Sequence, residues 1–170
     1  MTDAALKKIK VLAFDVDGVL TDGKIIVDAN GVETKAFDVQ DGFGIVFARK
    51  AGLKIVFISA RSCKAVEHRA VELKIDWFFI GVYPKTSAYE QMLKEFGVTD
   101  KEVCFVGDDL ADLVVLKRAG ISVAVANAVA EVKQAVHHVT TRRGGEGAAR
   151  EVIEMVLKAQ GKWSPELYEH

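Results

Sequence analysis

Ile9-Lys10-Val11-Leu12-Ala13-Phe14-Asp15-Val16-Asp17-Gly18-Val19 is the stretch whose reading decides the fold. A short, nearly continuous apolar run is the mark of a strand buried on both faces of a parallel sheet, and this one closes on two carboxylates and a glycine. In open α/β sheets ligands bind just beyond the carboxyl ends of the strands. Asp15 and Asp17 therefore stand where a side chain could meet both a metal ion and an incoming phosphate.

Outward from this strand the chain repeats a strand-then-helix rhythm. Apolar runs at 9–15, 54–58, 77–80, 103–107 and 121–125 are each followed by a more polar, helix-patterned stretch. Gly52, Gly97, Gly120 and Gly161 each follow a helical pattern, where a left-handed cap favours glycine. Thr99 and Glu102 have capping-box spacing but run straight into the strand at 103, so a turn is expected there. The last helix, about Gly147 to Gln160, gathers Ala149, Val152, Ile153, Val156 and Leu157 on one side and should pack on the sheet. Gly23 to Val39 breaks the rhythm and alternates like a β-hairpin turning at Ala29-Asn30-Gly31. The expected fold is α/β, a single doubly wound, Rossmann-like parallel sheet with a projecting hairpin. The domain spans residues 1–161 and a tail follows at 162–170.

Composition bounds the function. The chain has 170 residues, half of them hydrophobic, enough for one core. Its 23 basic and 24 acidic side chains leave a net charge of -1, which removes the general attraction that a non-specific nucleic-acid binder depends on. No run reaches the ~18 to 20 apolar residues of a membrane span. Cys63 and Cys104 are too few for a disulfide framework and lack zinc-site spacing, so two reduced thiols are expected. These features point to a cytoplasmic protein with a small-molecule partner, and to neither nucleic acid nor membrane.

Four separated pieces carry the chemistry. In Asp15-x-Asp17 one carboxylate can attack phosphorus, giving an aspartyl-phosphate, while the other handles the proton of the leaving alkoxide and then of the attacking water. Ser59 follows the strand Ile55 to Ile58, and its hydroxyl and neighbouring N–H groups could hold phosphoryl oxygens. Ser62 reads as the cap of the next helix. Lys85 opens a helix after Pro84 and supplies positive charge. Asp108-Asp109, with Asp112, follows the strand Val103 to Val106, and these hard oxygens suit Mg²⁺. Singly, each piece is an ordinary turn or a solvated side chain. Four such features at carboxyl ends of strands are a different matter, and five clustered carboxylates call for a divalent cation and a lysine.

In this order the pieces resemble the haloacid dehalogenase superfamily of aspartate-nucleophile phosphatases. Asp15-Val16-Asp17-Gly18-Val19-Leu20-Thr21-Asp22-Gly23, Lys35-Ala36-Phe37-Asp38-Val39-Gln40-Asp41-Gly42, Gly107-Asp108-Asp109-Leu110 and Arg143-Gly144-Gly145-Glu146-Gly147 are similar to the branch that hydrolyses 3-deoxy-D-manno-octulosonate 8-phosphate (KDO 8-phosphate). The resemblance, from about Lys8 to Gly161, implies a Mg²⁺-dependent sugar-phosphate phosphatase of lipopolysaccharide precursor synthesis. It implies Asp15 as nucleophile and metal ligand. Asp17 would be the acid/base that also offers its carbonyl to the metal, and Asp108 the second side-chain ligand. Asp109 and Asp112 would orient the metal's waters, while Ser59 and Lys85 bind the phosphoryl group. It further implies that Asp38, Val39, Gln40, Asp41 and Gly42 line the substrate site and that Arg61 and Arg69 contact the sugar acid or its phosphate. The chain departs from the pattern at Ala60, usually glycine, at Asp38, usually asparagine, at Val46, often basic, and at Leu113-Val114, which lacks a common proline.

Only 41 residues, 18–58, separate the first motif from Ser59, and only 25, 60–84, separate Ser59 from Lys85. No cap domain fits, yet phosphoryl transfer gains from a site that excludes water. A neighbouring subunit is therefore expected to close the site, with the hairpin between protomers and the tail reaching a partner's pocket. The resemblance implies a homotetramer. The rival readings are a phosphatase for a nonulosonate 9-phosphate, a phosphoreceiver domain and a non-catalytic assembly subunit. In a receiver domain the acidic pair follows the first strand and the phosphoacceptor a later one, which is not the order here. Arg61 leans toward the eight-carbon acid. The His137-His138 pair has no third ligand and reads as surface or strand-edge histidines.

Overall fold

The structure, a computed structural model, describes residues 2–164 and 166. A short helix α1 (Asp3–Leu6) leads into β1 (Val11–Phe14), and a two-stranded hairpin follows, β2 (Ile26–Val27) with β3 (Glu33–Thr34). Then come α2 (Val39–Lys50), β4 (Lys54–Ile58), α3 (Lys64–Glu72), β5 (Trp77–Phe79) and α4 (Thr86–Phe96). The second half holds β6 (Val103–Gly107), α5 (Leu113–Leu116), β7 (Ile121–Ala124), α6 (Ala130–Ala135), β8 (His138–Val139) and α7 (Ala148–Ala159).

Six strands form one all-parallel sheet in the order β5-β4-β1-β6-β7-β8. The chain winds outward from β1 through β4 to β5, returns to β6 on the other side of β1, and winds outward again. Right-handed crossovers then place α2 and α3 on one face and α4, α5 and α6 on the other. Every residue of β1 is fully buried. In register, Ala13 lies between Val56 of β4 and Phe105 of β6. The crevice between β1 and β6, where the winding direction reverses, is where a doubly wound sheet holds its ligand.

The expected strands at 9–15, 54–58, 77–80, 103–107 and 121–125 are all present, some shorter at their ends. The sixth, β8, was not legible, because a two-residue edge strand carries no apolar run; His138 belongs to it. The hairpin turns where expected, with the Asp28 carboxylate accepting from the N–H groups of Asn30 at 2.9 Å and Val32 at 2.8 Å. Its pairing, however, stops at Thr34, and the expectation of a hairpin running to Val39 is corrected. Asp38 accepts from the N–H groups of Gln40 at 2.6 Å and Asp41 at 3.2 Å, and so starts α2.

Gly97 takes the left-handed conformation at the end of α4, φ 60°, and Gly52 and Gly161 do so just past α2 and α7. Gly120 does not. A side chain there would run into the Lys101 backbone, so close approach is what calls for glycine. The Thr99–Glu102 pair closes a full capping box on a single 3₁₀ turn, Asp100–Glu102. Ser62 is not the cap of α3: that position is Cys63, and it makes no side-chain capping bond. In α7 the five expected apolar residues are all buried. The tail expected at 162–170 lies partly outside the described residues, but Trp163 stacks obliquely on Phe47, ring centroids 4.8 Å apart, with the Arg150 guanidinium 4.7 Å from its ring.

Candidate active site

Each chemical piece sits at the carboxyl end of a sheet strand, and the fold draws them together. The Asp15 N–H donates to the Val106 carbonyl at 2.9 Å, which pins the end of β1 to β6. The loop that follows is tight, since the Val16 carbonyl accepts from the N–H groups of Val19, Leu20 and Thr21. Two glycines make the close packing possible. A methyl group on Gly18, φ 91°, would collide with the Asp108 carboxylate, and one on Gly144 would collide with the Gly18 carbonyl. The glycine-rich segment 144–147 thus clasps the first motif from behind. The Gly145 N–H donates to the Val19 carbonyl at 3.0 Å, and the Asn127 side-chain oxygen, Oδ1, accepts from the Gly144 N–H at 2.7 Å.

Lys85 lies at the centre with 2% exposure. Its ammonium donates to Asp15 Oδ1 at 2.5 Å and to Asp112 Oδ1 at 2.7 Å. Burial alone would lower its pKa, but the attraction of Asp15 and Asp112 wins and raises it. The other Asp112 oxygen accepts from the N–H groups of Asp108 at 2.9 Å and Asp109 at 3.3 Å. Both Asp112 oxygens are therefore already occupied, which suits a residue that positions its neighbours. Asp109 caps the 3₁₀ turn Leu110–Asp112 by accepting from the Leu110 N–H at 2.7 Å.

Carboxylate atoms of Asp15, Asp108 and Asp112 all lie within 4.8 Å of one another. Burial holds the Asp15 carboxyl well above the usual range, with Lys85 opposing and Asp112 adding to the effect. Burial and then the Asp112 charge push the Asp108 carboxyl up to about 7. Carboxylates so close and so desolvated lack positive charge, and a hard divalent cation held by oxygens would supply it. The donor set fits Mg²⁺.

The phosphoryl-holding side is formed at Ser59 and the loop after it. The Ser59 hydroxyl lies 3.0 Å from the Arg61 carbonyl and 3.4 Å from Asp17 Oδ2, and it accepts the Arg61 N–H at 3.1 Å. The Ser59 N–H is taken by the Phe79 carbonyl at 2.8 Å. Among the described residues the N–H groups of Val16, Asp17 and Ala60 have no such partner, so the donors open to an anion are these and not that of Ser59. Asp15, Asp17, Gly23, Arg61, Lys85, Asp108, Asp109 and Asp112 line a cleft of about 240 Å³. A larger hollow of about 730 Å³, among Lys7, Lys8, Lys10, Lys101 and Lys162, lies at the opposite, amino-terminal end of β1 and β6 and holds none of these groups.

Two residues to which the sequence assigned no role stand behind the cleft wall, against its residues Asp17 and Arg61. Lys35, next to β3, has a side chain covered by its partners and pairs with Asp17 and, at 2.8 Å, with Glu33 Oε1. Glu33 also accepts from Arg61 at 3.0 Å. The hydrogen bond from Lys35 and then that from Arg61 hold the Glu33 carboxyl below its usual range. The only early signal was that Lys35 opens the second motif. Asn127 was missed as well, although a polar residue shortly after β7 has the same strand-end placement as the others.

The segment expected to line the substrate site is not brought to the cleft of its own chain. Asp38 caps α2, and Asp41, 2% exposed, accepts from the Arg150 N–H at 2.7 Å and so ties α2 to the start of α7. Burial pushes the Asp41 carboxyl up to about 6 despite that bond. Gln40 accepts from the Arg142 guanidinium at 2.7 Å, and Val39 points outward, 79% exposed. Arg69 lies against Gly42, beside the Phe37 ring, and pairs with Glu72 at 2.8 Å. Arg61 does reach the cleft, whereas Arg69 does not.

With the geometry in view, the likenesses to known proteins are informative. Residues 81–152 match the haloacid dehalogenase-like hydrolase family. The chain is 43% identical over 159 residues, 94% of its own length and 88% of the relative's, to the 3-deoxy-D-manno-octulosonate 8-phosphate phosphatase of Haemophilus influenzae. It superposes on the enzyme of that name from Moraxella catarrhalis, solved in complex with a magnesium ion, a phosphate ion and a KDO molecule. The TM-score is 0.94 at 38% identity, covering 98% of this chain and 96% of that one. The cobalt-bound Haemophilus influenzae phosphatase gives a TM-score of 0.93 at 39% identity, covering 98% and 99%.

Proposed function

The chain belongs to the 3-deoxy-D-manno-octulosonate 8-phosphate phosphatases among the haloacid dehalogenase-like hydrolases, and we propose that it hydrolyses KDO 8-phosphate through a phosphoryl group carried on Asp15. The observation that carries this reading is the convergence of Asp15, Asp108 and Lys85 at the switch between β1 and β6. KDO 8-phosphate is a small sugar-acid phosphate, and Mg²⁺ is the cofactor.

In the first half-reaction Asp15 attacks phosphorus, the bond from phosphorus to the sugar oxygen breaks, and Asp17 gives its proton to the departing alkoxide. In the second, water attacks the aspartyl-phosphate, Asp17 takes the water's proton, and phosphate leaves with Asp15 restored. Lys85 fixes the Asp15 carboxylate and offsets the negative charge that gathers beside it. Ser59, Ala60 and the N–H groups after Asp15 hold the phosphoryl oxygens. The carboxylates of Asp15 and Asp108 and the Asp17 carbonyl would hold Mg²⁺, with Asp109 and Asp112 around it, and the bound ion would supply charge to neutralise those oxygens.

The same reading includes an oligomer, a tetramer, in which a neighbouring subunit closes the cleft. Ile25, Ile26, Val27 and Val32 of the hairpin region are each more than half exposed, an unusual apolar load for so small an element. Val39 and Gln40 are exposed at the start of α2 and do not line their own cleft, which leaves that edge available to a neighbour's. A monomer in light scattering at micromolar concentration would refute this part. None of the described helices is long and apolar enough to cross a membrane. The buried, unpaired thiols of Cys63 and Cys104 suit a reducing, cytoplasmic setting, and the substrate reading places the reaction in lipopolysaccharide precursor synthesis.

The test is phosphate release, with Mg²⁺ and then with EDTA, from KDO 8-phosphate, a nonulosonate 9-phosphate and common sugar phosphates. Strong Mg²⁺-dependent preference for KDO 8-phosphate is expected. Preference for the nine-carbon acid, or weak release from all, would overturn the substrate assignment.

A further inference from the structure

Glu33 brings one more carboxylate up behind a cleft already crowded with them, against its lining residue Arg61, and its two oxygens are used in an unusual way. Oε1 takes the Lys35 ammonium at 2.8 Å and Oε2 takes the Arg61 guanidinium at 3.0 Å, so a single carboxylate bridges two cations from different segments. Lys35 also pairs with Asp17 and needs no second anion to be neutralised. Arg61 is different. Its side chain is 46% exposed, it borders the cleft, and Glu33 is its ion-pair partner among the described residues. Glu33 itself sits on β3, held to its neighbour strand by a two-residue pairing, so it can yield without disturbing the sheet.

We propose that Glu33 is a stand-in for the substrate's own carboxylate: it occupies Arg61 in the free protein and is exchanged for the carboxylate of the sugar acid on binding. This rests on the KDO 8-phosphate reading, since an octulosonate phosphate carries a carboxylate as well as its phosphate. The exchange replaces one Arg61–carboxylate pair with another, so it costs little for an acid substrate. A sugar phosphate without a carboxylate cannot make the exchange and gains nothing from Arg61. Glu33 is then a specificity-determining residue that acts as an internal competitor. The apparent affinity for the acid is reduced by the fraction of protein in which Arg61 is already taken.

The test compares Glu33→Gln with the unaltered protein on KDO 8-phosphate and on mannose 6-phosphate, which has no carboxylate. Removing the competitor should shift the ratio of the two KM values about two- to fivefold in favour of KDO 8-phosphate, the range expected of a partly exposed ion pair. Product inhibition by KDO should strengthen by a similar factor. Glu33→Asp, one methylene too short to bridge both cations, should move the ratio in the same direction. An unchanged ratio, or a shift toward mannose 6-phosphate, in a protein that still prefers KDO 8-phosphate overturns the Glu33 assignment alone. Failure of the unaltered protein to prefer KDO 8-phosphate overturns the reading on which it rests.

Discussion

The Lys85 ammonium and the Asp15 carboxylate meet at 2.5 Å inside the protein, although 70 residues separate them in the chain. Their attraction is what makes two desolvated, like-charged carboxylates tolerable beside the lysine, and it defines the most sensitive point in the molecule.

Lys85→Met should therefore be costly in two ways. It leaves Asp15 and Asp112 buried without their counter-charge, a loss of about 3 kcal/mol or more for a broken buried pair. Thermal melting in EDTA should show the full loss, and added Mg²⁺, which binds only the folded site, should recover part of it. Phosphatase activity should fall at least about a hundredfold, the scale of losing a donor to transition-state charge. An equal melting loss in EDTA and in Mg²⁺ would contradict the reading of Lys85 and the metal as sharing one job.

Asp15→Asn and Asp17→Asn should fail at different steps. The first removes the nucleophile at nearly constant size and should abolish turnover while leaving the fold. The second should permit some phosphorylation of Asp15 but stall its hydrolysis, so that intact-mass measurement after substrate addition finds a population heavier by one phosphoryl group. Near-normal activity in both variants would sink the mechanism.

Gly144→Ala places a methyl group against the Gly18 carbonyl, and the obstacle is backbone that cannot swing aside. A stability loss of about 1–3 kcal/mol is expected from the overpacking. Because the displaced loop carries Asp17 and Gly18, the Mg²⁺ concentration needed for half-maximal activity should rise as well. Loss of stability with an unaltered Mg²⁺ requirement would mean that the clasp supports the fold and not the site.

Asp41 gives a pH dependence whose sign can be worked out. Its carboxyl is raised from its ordinary value near 3.8 to about 6, chiefly by burial, so between these values the folded protein holds more protons than the unfolded chain. Stability is then greatest below the unfolded pKa and falls as pH rises through about 6, by roughly 3 kcal/mol for a shift of this size. Asp41→Asn keeps an acceptor for the Arg150 N–H and removes the titration. Melting curves between pH 4 and pH 7 should show a shallower decline in the variant, and an identical decline in both would remove Asp41 as its source.

Much of this was legible in the chain because it is local. Continuous apolar runs mark strands buried on both faces, and carboxylates directly after such runs, at 15, 17 and 108, lie at one end of the sheet whatever the remaining details. Asp38 and Asp41 were read only as substrate contacts, and the structure adds that within the chain Asp38 caps α2 and Asp41 ties it to α7. The identity of an aspartate does not say which N–H groups it will face. β8 was invisible for a related reason, since two residues contribute no period.

The sequence by itself determined the parallel sheet, the strand-end position of each reactive group and the need for positive charge among the carboxylates, because these follow from short-range pattern and from charge. Only the tertiary structure decided who neutralises whom. Lys85 with Asp15 and Asp112, Lys35 with Asp17, and Glu33 with Arg61 are pairings between segments apart in the chain. They are chosen by the distances that packing imposes, and no local pattern encodes a distance of that kind.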